Sequence, residues 1–139
     1  MSGQYSVTAS TSGAPGRYVI EGHGKVLLSD SAMVRQIPSV APGPIELLVA
    51  ALGSCALASA ESDALEHGIA FRTISAVVDA TRDEQDETRF SAIHVAISVT
   101  GVSASEAPKL LGHLLNQCPI FNTLRRGGGE VTAAIAALP

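Results

Sequence analysis

The stretch from Pro44 to Gly68 constrains the fold of this chain most. It is apolar, built largely of small residues, and carries helix signals at both ends. Pro44 suits a first helical turn, where a missing N–H costs nothing. Glu46 in that turn meets the positive end of the helix dipole. Gly68 is a good stop, with His67 in the last turn. The spacing predicts one helix over about Pro44–His67, with Leu48, Ala51, Leu52, Cys55, Ala58 and Ser59 on one face. Small residues there permit close approach of a neighbouring element. The most apolar part, Ile45 to Ala60, contains Glu46 and falls short of the roughly 18 residues a membrane span needs. A buried core helix is expected, and no membrane contact.

Strand patterns surround this helix. Tyr5–Ser10, Arg17–Ile20 and Lys25–Leu28 precede it, with turns at Ser12–Gly16 and Glu21–Gly24. Ser29–Gly43 reads as an exposed loop carrying Arg35. Arg72–Thr81 and Ser91–Thr100 follow as a hairpin around the acidic, solubilising loop Asp83–Glu87. A second helix is expected over about Ala104–Gln117, capped by Ser103 or Ser105. Pro119 ends it and biases Cys118 away from helical geometry. A short helical turn over Pro119–Leu124, a glycine joint at 127–129 and a last strand over Glu130–Ala137 complete the order. This order predicts an α+β fold, with antiparallel sheets packed around two long central helices. The length of 139 residues predicts a single domain over residues 1–139.

A hydrophobic content of 46% excludes a disordered chain. Aromatics are only 4% and Trp is absent, so the core is expected from Ala, Val, Leu and Ile. The net charge of −4 and the scattered basic residues argue against a nucleic-acid partner. The polar segment Met1–Ser12 predicts no secretory leader. Two cysteines without a leader suggest a reducing, cytoplasmic setting, where a disulfide is more often transient than structural. No C-x-x-C spacing occurs and the four histidines are scattered, which argues against a zinc site. His23, His67, His94 and His113 read as solvated or capping residues, and Arg125-Arg126 as a solvated pair.

The two cysteines stand in different contexts. Cys55 lies in the apolar helix and Cys118 at a helix junction. Two readings are open. Both thiols could pack as small hydrophobes. Alternatively, one could be oxidised to a sulfenic acid that the other traps as a disulfide. The second needs a fold that brings together residues 63 positions apart. If Pro119 begins a helical turn, Cys118 is its N-cap, and the dipole would lower the thiol pKa. Local physics does not decide which cysteine attacks first.

Pro44-x-Glu46-Leu47-Leu48, then Ala50-Ala51-Leu52-Gly53-Ser54-Cys55, with the distant Cys118-Pro119-Ile120-x-Asn122-Thr123-Leu124, resembles the OsmC/Ohr family of osmotically induced and organic hydroperoxide resistance proteins. The resemblance covers about Lys25 to the C-terminus. It implies an intertwined homodimer and reduction of organic hydroperoxides to alcohols at cysteine, with no cofactor. Cys55 matches the peroxidatic cysteine and Cys118 the resolving one. Their disulfide would be reduced by a dithiol such as dihydrolipoamide or a lipoylated protein. The family also uses an Arg–Glu pair to activate the first thiol. Arg35 is favoured for the arginine over Arg17 in the N-terminal hairpin. Glu46 is the nearest match for the glutamate, displaced by one position. Nine residues separate Glu46 from Cys55, about 13.5 Å along one straight helix and on opposite faces. Glu46 would therefore serve the partner subunit's Cys55, or the helix must bend. Two other classes compete with a peroxidase: a non-catalytic module holding a small hydrophobic ligand or partner, and a thiol redox sensor.

Overall fold

The computed structural model describes residues 3–139; Met1 and Ser2, which open the polar N-terminal segment, lie outside it. The chain forms two compact units, the first ending at Leu48 and the second spanning Val49–Pro139.

The first unit holds a three-stranded antiparallel sheet in the order β1 (Thr8–Thr11), β2 (Arg17–Gly22), β3 (Lys25–Asp30). His23 and Gly24 form the two-residue turn between β2 and β3, both with positive φ (52° and 73°). Positive φ at both central residues marks the turn whose twist matches a hairpin. The segment after β3 leads to helix α1 (Pro44–His67), whose first residues belong to this unit.

Most of α1 lies in the second unit, with β4 (Thr73–Arg82), β5 (Phe90–Thr100), a 3-10 helix over Ala107–Leu111, α2 (Gly112–Gln117), α3 (Pro119–Arg126) and β6 (Glu130–Leu138). The sheet order is β4-β5-β6. Ile93, Val95, Ile97 and Val99 of β5 are buried on one face, alternating with less buried residues on the other. On β6 they pair with Val131, Ala133, Ile135 and Ala137. This two-residue period turns one apolar face to the helices. Leu52 and Ala56 of α1 share a core with Ile93, Val95 and Ile97. Ala60 and Ala64 share a second with Val99 and Leu110. Small side chains let the helix lie close to the sheet.

The α+β architecture is as expected, with three differences of detail. First, β6 runs parallel to β5 rather than antiparallel. The connection between them contains three helical segments, and such a crossover returns a strand in the same direction. Second, α1 is the sole long helix among the described residues. A continuous helix over 104–117 would need a backbone N–H at Pro108, which proline lacks. The chain instead makes a turn, a 3-10 helix and the six-residue α2. Third, the buried stripe of α1 is Leu52, Ala56, Ser59, Ala60, Asp63 and Ala64, whereas Leu48, Ala51 and Ala58 are exposed. At 24 residues α1 is also long and apolar enough to span a membrane by length and composition. Its buried stripe, packed on β5, identifies it as a core helix of this fold.

Candidate functional site

Cys55 and Cys118 are joined by a disulfide that closes a separation of 63 residues, with their Cα atoms 6.7 Å apart. That distance lies within the span a disulfide bridges without backbone movement. Cys55 is half-buried on α1 and Cys118 is 3% exposed. Cys118 ends α2 and caps α3, with extended backbone (φ −69°, ψ 115°). Its Sγ accepts the Phe121 N–H at 3.4 Å, and its carbonyl accepts from the Asn122 backbone (3.1 Å) and Asn122 Nδ2 (3.0 Å). The N-cap position expected from Pro119 is therefore present. A thiolate there would keep the same N–H donor and the positive end of α3. Leu52, Leu114 and Phe121 are buried around the pair, and Ile120 and Leu124 are partly buried against the same core.

The other expected site residues lie in the first unit. Arg17 grips Asp30 with two bonds, Nε to Oδ1 at 2.7 Å and Nη2 to Oδ2 at 2.9 Å. Asp30 Oδ2 also accepts the backbone N–H groups of Val40 (2.7 Å) and Ala41 (3.2 Å). The Arg17 hydrogen bond, then that of Val40, holds this buried carboxyl well below the usual carboxylate range; Arg17 is pushed up in turn. The pair ties β2 and β3 to the loop that carries Arg35. Gly16 lies against that loop with φ 80°, where an added Cβ would meet the Arg35 backbone at 2.7 Å. Arg35 is half-buried, and its guanidinium makes no ion pair among the described residues. Glu46 is exposed, and its Oε2 accepts the Gly43 N–H at 2.7 Å. It thus caps the start of α1, as a glutamate in the third helical position commonly does. Arg35 and Glu46 make no ion pair with each other.

One cluster was not anticipated from the sequence. Asp63 is buried on α1, and its Oδ2 accepts the His113 backbone N–H at 3.0 Å. His113 Nδ1 lies 2.5 Å from Asp63 Oδ1 and 3.7 Å from Glu66 Oε2. The hydrogen bond to Asp63 raises the His113 pKa above its ordinary value; burial opposes this, and the charges of Asp63 and Glu66 add to it. Ligand atoms of Asp63, Glu66 and His113 fall within 4.8 Å of one another, a spacing compatible with a metal ion. Both Asp63 oxygens already accept from His113, however, so the carboxylate is satisfied by hydrogen bonds without a metal. The available signal was the position of Asp63 on the Leu52–Ala56–Ser59 stripe. His67 behaves as a capping residue, with Nδ1 2.8 Å from the Asp63 carbonyl.

Solved structures with this fold cover nearly the whole chain. An OsmC-like protein from Mycoplasma pneumoniae matches at TM-score 0.83 and 18% identity, over all of both chains. An organic hydroperoxide resistance protein OsmC from Legionella pneumophila matches at 0.73 and 22%, over 97% of this chain and 99% of that one. An organic hydroperoxide resistance protein from Elizabethkingia anophelis matches at 0.70 and 18%, over 99% and 100%. At these identities the likeness establishes the fold. No curated protein matches. The OsmC-like protein profile matches residues 37–133, which include both cysteines and Glu46. The chain belongs to the OsmC-like family.

Proposed function

We propose that this protein is a thiol peroxidase that reduces organic hydroperoxides to alcohols. The observation that carries the reading is the Cys55–Cys118 disulfide, formed between residues far apart in sequence. Family membership supports it, as does the fold shared with the organic hydroperoxide resistance proteins from Legionella and Elizabethkingia. In the first step the Cys55 thiolate attacks the distal peroxide oxygen. The O–O bond breaks, Cys55 becomes a sulfenic acid, and the alkoxide takes a proton to leave as alcohol. Cys118 then attacks the Cys55 sulfur, releasing water and forming the disulfide. A dithiol such as dihydrolipoamide restores both thiols by exchange. Cys55 takes the first role because it is the more exposed of the two. Arg35 is the activating guanidinium, since Arg17 is already bound to Asp30. Glu46 Oε1 is left to hold an arginine while Oε2 caps the helix. The apolar residues around the pair favour organic peroxides over hydrogen peroxide. The exposed Val26, Leu27 and Leu28 of β3 support a second subunit covering that sheet.

Steady-state turnover of cumene hydroperoxide with dihydrolipoamide tests this reading. Wild type should turn over, and Cys55→Ser and Cys118→Ser should not. Arg35→Ala should lose at least about tenfold in kcat/KM, the scale of one electrostatic activator. Oxidation without turnover favours the sensor reading, whereas the capping role and displaced position of Glu46 lend weight to the non-catalytic binding module. Equal efficiency with hydrogen peroxide would remove the proposed selectivity.

A further inference from the structure

We propose that the Asp63–His113 pair is a positioning device that holds Cys118 in place to close the disulfide with Cys55. Four observations link the two sites. Asp63 and Cys55 lie on the same helix, eight residues apart, which is about 12 Å along its axis. The Asp63 carboxylate binds His113 through both the ring and the backbone N–H. The His113 carbonyl in turn accepts the Cys118 N–H at 2.9 Å. Finally, α2, which carries His113 and ends at Cys118, is a single short helix of six residues, too short to hold its own geometry. An unbroken chain of hydrogen bonds therefore runs from the Cys55 helix to the backbone of Cys118. None of these hydrogen bonds uses either sulfur atom. Packing of Leu114 and Phe121 keeps the segment folded on the core. Apolar packing is non-directional, so the polar links supply the orientation that ring closure requires. Asp63 and His113 touch neither sulfur and are positioning residues only.

The proposal deepens the thiol-pair reading and rests on it for its biological meaning, but its test needs no peroxide. Reduced protein is equilibrated with glutathione and glutathione disulfide. Cys55 first forms a mixed disulfide, releasing one glutathione; Cys118 then attacks the Cys55 sulfur and releases the second. The ratio of closed to mixed disulfide, multiplied by the free glutathione concentration, gives the effective molarity of Cys118. His113→Ala removes a ring that is partly exposed (22%), and Asp63→Asn keeps the shape of the buried side chain. Unfolding midpoints first establish that each variant is folded. The effective molarity should fall at least tenfold in both. The mixed disulfide at Cys55, measured in a Cys118→Ser background, should be unchanged, which a general loosening of the fold would not leave untouched. Wild-type closure in either folded variant overturns the proposal, whatever the peroxide chemistry. If closure falls as expected but wild type never reacts with a hydroperoxide, the positioning role stands and the peroxidase reading falls.

Discussion

At Cys118 a sulfur, a backbone N–H and a carbonyl are each bound to a different partner. The Sγ is bonded to Cys55 and accepts from Phe121, the N–H donates to His113, and the carbonyl accepts from Asn122. Part of this was legible in the sequence, because Pro119 both stops one helix and starts the next. The link to Asp63 was not, because a carboxylate in a helix ordinarily reads as a solvated group. Only the register of the buried stripe shows that it turns inward. The pair has a pH signature. His113 gains its partner on folding, so its folded pKa lies above the unfolded value of about 6.5. Its stabilisation is therefore complete below about pH 6.5 and is lost as pH rises through the raised folded value. Urea midpoints of the wild type should fall through that window, and the fall should be smaller in His113→Ala. Parallel profiles for the two proteins would show that the pair does not contribute.

Among the elements, α1 and five of the six strands fall close to their expected bounds. Their apolar periods are long, and glycine or proline punctuates them. β1 is displaced, because the alternation near Tyr5 is weak. The region between β5 and β6 was the least legible, since helical spacing and a proline give opposing signals there. The start of this region is fixed by Ser103 and Glu106. Ser103 N–H donates to Glu106 Oε2 at 3.1 Å, and Glu106 N–H donates to Ser103 Oγ at 3.2 Å. This is a reciprocal capping box, and the Ser-x-x-Glu spacing announces it. Ser103→Ala should cost about 1 kcal/mol in urea unfolding, with no effect on disulfide closure. A loss below a few tenths would mean that the capping box does not help to hold the 3-10 helix.

For the molecule as a whole, the fold's contribution to chemistry is to bring together two thiols from opposite sides of a sheet connection. The sequence carries both thiols and their local contexts, but their meeting depends on long-range topology. The crossover that makes β6 parallel also carries Cys118 back to α1. Arg35 and Glu46 are candidates by family resemblance alone, and the structure adds that Glu46 caps the start of α1. The most direct test of the central claim is a free-thiol count and intact mass after one equivalent of cumene hydroperoxide. Wild type should rapidly lose two thiols and two hydrogens, and Cys55→Ser should lose none. Unreactive thiols in wild type, or equal loss in Cys55→Ser, would contradict a peroxidatic Cys55–Cys118 pair.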